Sequence, residues 1–139
     1  MKRLFIVILV LVNLQSFAQT FKITDVETSE YIRYSQAKEK YLNKEFDVSF
    51  NENSVSITSK EIKEPLILEK KNATTYSLYI STKQNSGPQA WYFGNVNKFF
   101  NIVFKFVGGK INSMEFKSSE WYGTSFDNAD YVKIIGKRL

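Results

Sequence analysis

Phe46-Asp47-Val48-Ser49-Phe50-Asn51-Glu52-Asn53-Ser54-Val55-Ser56-Ile57-Thr58 holds two short runs of apolar and polar residues in strict alternation, joined by an asparagine-flanked turn. A half-buried strand repeats every two residues, so Phe46, Val48 and Phe50 belong to one face and Asp47 and Ser49 to the other. Asparagine tolerates the left-handed backbone that tight turns need. Pairing Phe50 with Val55 sets Val48 opposite Ile57 on the same face, so a single register buries every apolar residue of the hairpin.

A second hairpin follows further along the chain. Phe100, Ile102, Phe104 and Phe106 alternate with Asn101, Val103 and Lys105 up to Gly108-Gly109. A two-residue turn there pairs Ile102 with Glu115 on a buried face. A three-residue loop, Gly108 to Lys110, pairs Phe104 with Met114 and Ile102 with Phe116, and places Lys105 opposite Ser113 and Val103 opposite Glu115 on the other face. A one-residue slip exchanges the faces, so the cost of burying Glu115 selects the longer loop. A glycine in it supplies the positive φ of a bulged hairpin.

Further strands fit the remaining gaps: Phe21 to Val26, Leu66 to Glu69 after Pro65, Thr75 to Ser81 with Tyr76, Leu78 and Ile80 on one face, Gln89 to Phe93 after Gly87-Pro88, and Tyr131 to Ile135. Residues 28–44 read two ways. Gln36-Ala37-Lys38-Glu39-Lys40 suits a helix by propensity, yet Tyr31, Tyr34 and Tyr41 form no clean helical stripe, and a frayed hairpin fits equally. Short strands near ten-residue spacing imply an all-β domain, either a single antiparallel β-sandwich or a small barrel, lipocalin-like among the alternatives, with at most one short helix near residues 29–42. There is no internal repeat or linker, so residues 19–139 read as one domain.

The opening residues read as an address. Lys2 and Arg3 precede an unbroken apolar run from Leu4 to Val12, then a more polar stretch ending in Ser16-Phe17-Ala18. That is the layout of a secretory signal peptide cut before Gln19, and the run is far shorter than the roughly 20 apolar residues that span a bilayer. The expectation is a cleaved segment 1–18, an exported protein in the periplasm or outside the cell, and no transmembrane span in the mature chain. Removing 1–18 leaves 121 residues at net charge +3 rather than +5.

Composition excludes whole classes of chemistry. The chain has no histidine and no cysteine. It therefore has no imidazole general base, no thiol nucleophile, no disulfide, and no His or Cys metal ligand. Asp127-Asn128-Ala129-Asp130 offers hard oxygen ligands but lacks the alternation and glycine of a calcium loop; it reads as a turn, and no metal and no cofactor are expected. Two carboxylates suffice for glycoside hydrolysis, but no spacing here singles out a pair. Basic residues interleave with acids, as in Lys60-Glu61-Ile62-Lys63-Glu64, apart from a small cluster of Lys133, Lys137 and Arg138. A clustered basic face is missing, and nucleic acid is not an expected partner.

What remains is aromatic surplus, 16% of the chain. Adjacent rings in Trp91-Tyr92-Phe93 and Trp121-Tyr122 must point to both faces of a strand, so some lie off the core. Trp91, Tyr92, Trp121 and Tyr122 are the candidate partner-binding residues. Phe104, Phe106, Met114 and Phe116, with Phe100, are either core or the lining of a pocket for a small apolar ligand. The Ser16-Phe17-Ala18-Gln19-Thr20 junction, the opening strand Gln19 to Glu27 and the Asn-turn hairpin resemble small exported β proteins of Bacteroidota, a resemblance that implies location and fold class and brings no activity. The leading expectation is a non-enzymatic exported domain that binds a protein or envelope component. A lipocalin-like carrier is second and a hydrolase third.

Overall fold

Alternating faces, once paired hairpin by hairpin, leave an apolar side that must be covered, and this chain covers it by rolling the sheet into a tube. The computed structural model describes residues 17–30, 32–83, 95–123 and 129–139. Its strands are β1 (Phe17–Thr28), β2 (Glu45–Phe50), β3 (Ser54–Thr58), β4 (Leu66–Lys70), β5 (Thr75–Lys83), β6 (Asn95–Val107), β7 (Lys110–Tyr122) and β8 (Asp130–Arg138), with one helix, α1 (Tyr34–Tyr41). Each strand pairs antiparallel with the next, and β8 returns to β1, so the eight form a closed up-and-down barrel. Of the two all-β alternatives, the barrel is the one adopted. The expected strand Gln89 to Phe93, the Gly87-Pro88 turn, Tyr31, Asp127, Asn128 and residues 1–16 lie outside the described residues.

Both hairpin registers hold. Phe50 faces Val55 and Val48 faces Ile57; Phe104 faces Met114, Ile102 faces Phe116, Lys105 faces Ser113 and Val103 faces Glu115. The turn that achieves the second register differs from the expected three-residue loop. Val107 pairs with Lys110 around a two-residue Gly108-Gly109 turn, both glycines having positive φ. The odd residue is absorbed as a bulge, since Lys105 faces Ser113 while Phe106 faces Ile111. A bulge shifts one strand by one residue without changing the turn, so a two-residue turn and the observed register are compatible.

Inward side chains fill the tube. Phe21, Phe46, Val48, Val55, Ile57, Leu68 and Ile102 are fully buried, and rings from non-adjacent strands touch across the interior. Phe104 of β6 lies 5.0 Å from Phe50 of β2 and 6.1 Å from Phe21 of β1, centroid to centroid, and Tyr76 of β5 meets Phe104 edge-on at 5.8 Å. In eight-stranded barrels of this kind the interior is just wide enough for side chains to fill. Gly136 sits where β8 passes these side chains. A Cβ there would lie 3.0 Å from Phe21 Cβ and 3.1 Å from Met114 Cε.

Residues 28–44 resolve to the helix. Ala37 is buried, and one turn later Tyr41 packs on Phe46 with ring centroids 6.2 Å apart; Tyr34 stays exposed, which is why the three tyrosines make no stripe. The helix packs against β1, beyond the point where β2 ends. The Ile23 N–H donates to the Lys44 carbonyl and the Asn43 N–H to the Ile23 carbonyl, each at 2.9 Å. Asn43 takes φ 63°, the left-handed position just past the helix end.

The two rims differ. Residues 51–53, 71–74 and 108–109 make short turns at one end, while the described connections at the other, 32–44 and 59–65, are longer. One seam is thin. β5 pairs with β6 along its whole length, from Thr75–Val103 to Lys83–Asn95, whereas β4 pairs with β5 at Glu69–Ser77 and Lys70–Tyr76 and no further.

Candidate partner-binding site

The wall made by β5, β6 and β7 carries its own ordered cluster on the outside. Tyr79, Ser81, Asn97 and Trp121 share that face, because Ser81 pairs with Asn97 and Asn97 with Trp121. Asn97 is 3% exposed and organises its neighbours. The Tyr79 hydroxyl donates to its Oδ1 at 2.9 Å and the Ser81 hydroxyl to the same oxygen at 2.7 Å. Its Nδ2 donates to the Gly123 carbonyl at 2.8 Å. A buried amide so bonded is a fixed point, and it holds the Tyr79 ring against the wall.

Tyr79 is nevertheless 57% exposed, and its ring lies 5.9 Å from that of Trp121 at a 32° tilt. Across the thin seam, Ile67 of β4 is 58% exposed. Single exposed apolar residues need no explanation, but a contiguous strip points to recognition. Tyrosine and tryptophan suit such a strip, since each offers an apolar face and a polar tip.

The remaining outer wall is charged. Lys133 of β8 pairs with Glu27 of β1 at 2.8 Å and with Glu115 of β7 at 3.9 Å, Tyr131 donates to Glu27 at 3.1 Å, and Lys117 lies 4.3 Å above the Tyr131 ring. The Lys133 ammonium, then the Tyr131 hydroxyl, hold the Glu27 carboxyl below the ordinary glutamate range; the same contact pushes Lys133 above its own. The Lys133 member of the basic cluster is thus neutralised by neighbours.

The sequence-predicted residues separate into four groups. Phe104, Met114 and Phe116 are core, at 2%, 1% and 7% exposure. Phe106 stands half-exposed at the short-turn rim, away from Trp121, and Tyr122 is exposed at the opposite rim beyond it. Trp91 and Tyr92 lie outside the described residues. Trp121 alone joins the site, and Tyr79 and Ile67 are the members that the sequence reading does not single out. The signal for Tyr79 was present: in Tyr76-Ser77-Leu78-Tyr79-Ile80 it is the large ring on the polar side of the alternation. Ile80 keeps the expected face, in line with Tyr76 and Leu78, and is exposed where β5 runs past the end of its pairing with β4.

At the long-connection rim, Ile32, Ser118, Glu120, Asp130 and Val132 line an open concavity of about 220 Å³. Asp130 accepts from the Ser29 hydroxyl at 3.3 Å. Among the described residues no group of three or more Asp or Glu is placed to hold a metal ion, and no helix is long and apolar enough to cross a membrane. No protein-family model matches the chain, and neither a curated protein nor a solved structure does.

Proposed function

We propose that the protein is an exported, non-enzymatic binding module that recognises another macromolecule, a protein or an envelope component, through the outer strip of Tyr79, Trp121 and Ile67. The observation that carries this reading is Tyr79 itself: a large ring more than half exposed, yet held in one place by its bond to a buried amide. Ordered and exposed is the combination a recognition residue needs, because little entropy is lost on binding. Export is supported by Lys2, Arg3 and the apolar run Leu4 to Val12. Charges on the outer wall, Lys117 at the middle of β7 with Glu27 and Lys133 beside it, favour a water-facing barrel over a lipid-facing one.

The carrier reading draws on the same eight-stranded topology. It needs an apolar space, and the rings of Phe21, Phe50, Tyr76 and Phe104 occupy the interior. The test is quantitative capture from envelope and culture-medium fractions of the source organism, comparing the protein with its Tyr79→Ser variant. Loss of a specific partner by about tenfold or more, with the thermal midpoint unchanged, is the expected result for a central contact residue. Equal capture by both proteins removes the strip from consideration. A retained adduct of small mass in native mass spectrometry, released on denaturation, would favour the carrier instead.

A further inference from the structure

We propose that the seam between β4 and β5 is a strand-addition site, at which an extended segment of a partner protein pairs with the free edge of β5 from Leu78 to Lys83. The proposal rests on the partner-binding reading above and specifies the bonding that it uses. Alternate residues of a strand direct their backbone groups to opposite sides, so half the N–H and C=O groups of Leu78–Lys83 point toward β6 and half toward β4. The β6 side is paired throughout. On the β4 side, pairing stops at Ser77, and among the described hydrogen bonds none joins Leu78–Lys83 to any other backbone segment.

Proteins protect such edges with charge, proline, bulges or a covering element. The barrel does so elsewhere. The free edge of β1 is covered by α1 and bonded through Ile23, Asn43 and Lys44, and β4 is closed off by Pro65, which has no N–H. Leu78-Tyr79-Ile80-Ser81-Thr82 carries no charge, proline or glycine. Its β-forming residues flank an unpaired ladder beside the exposed Ile67, Tyr79 and Ile80, a combination that suits β-strand addition.

The occupant is a single extended segment rather than a second copy of the barrel. β4 stands across the seam, joined to β5 at Glu69 and Lys70, so the flank of another barrel meets β4 before it reaches the edge. Charge narrows the partner further. Lys83 and Lys98, which is in register with Ile80, are the charged residues on Leu78–Lys83 and Asn95–Phe100, and neither run contains an acid. The segment is therefore apolar at alternate positions and acidic at the end that meets Lys83.

The probe is a blocked synthetic peptide with the sequence of Glu64–Glu69 and threonine in place of its proline, which carries both properties. Amide exchange is followed by NMR with and without it. The expected result is fast exchange at alternate amides of Leu78–Lys83 in the free protein, slowed about tenfold or more at millimolar peptide. N-methylating the peptide's edge-facing amides abolishes this protection, while methylating the other alternate set leaves it. Edge amides already protected in the free protein, no protection at millimolar peptide, or equal binding by both methylated peptides each overturns strand addition. A partner captured through Tyr79 that leaves the Leu78–Lys83 amides unprotected overturns it too, while keeping the binding reading.

Discussion

At Gly136 the barrel admits a strand only because one residue has no side chain. The nearest atoms to an added Cβ are the Phe21 Cβ at 3.0 Å, fixed to backbone, and the Met114 Cε at 3.1 Å, the flexible end of its chain. Met114 can yield, but Phe21 cannot without moving β1. Gly136→Ala is expected to cost about 1–3 kcal/mol, the range for overpacking a filled core, read from the urea midpoint. Deleting volume at the centre should cost more. Phe104 touches Phe21, Phe50 and Tyr76, and Phe104→Ala removes the ring that joins opposite walls; the expected loss is about 3–5 kcal/mol. A loss below about 1 kcal/mol would mean that the interior is loosely packed and has room for a ligand.

At the scale of elements, the short helix is locked to the barrel by its exit. Asn43 holds φ 63° while its N–H and the carbonyl of Lys44 both bond to Ile23. Glycine fits that backbone and a β-branched residue does not, so Asn43→Gly should stay within about 0.5 kcal/mol of the parent, whereas Asn43→Val should lose about 1–2 kcal/mol. Chemical denaturation of the two variants side by side provides the comparison. Local pairings of this kind are what a sequence discloses well. The registers of Phe50 with Val55 and Phe104 with Met114 can be read directly, because a short turn leaves few choices and the wrong one buries a charge. The bulge near Asn112 is invisible to that reasoning, since two errors of one residue, in turn length and in pairing, cancel. The site is less readable still. Tyr79 and Ile67 are exposed because they lie on the outer face, but that β4 parts from β5 after Ser77 beside them is announced by no property of either strand alone. Trp121 was found because two adjacent rings cannot both be core.

The whole molecule closes where its first and last strands meet, and there the charges take part. Glu27 binds protons less readily in the folded barrel than in the unfolded chain, because Lys133 and Tyr131 bond its carboxylate. Its contribution is therefore present above the ordinary glutamate range and fades as pH falls through and below about 4. Lys133 is shifted upward, so its share holds through neutral pH and is lost above about 10.4. Both groups are partly solvated, and the dependence should be shallow. Lys133→Gln should narrow the difference in urea midpoint between pH 7 and pH 3; an unchanged difference would show the pair to be idle. The same closure governs when the protein can fold. β1 takes one partner from the neighbouring β2 but the other from Asp130–Arg138, so synthesis must run through β8 before the tube can shut. Until then the chain has two unsatisfied edges and an uncovered apolar face, and pairings across so long a separation form slowly. A polypeptide built in this way stays threadable while it is being made, and folding completes after the last strand has been delivered.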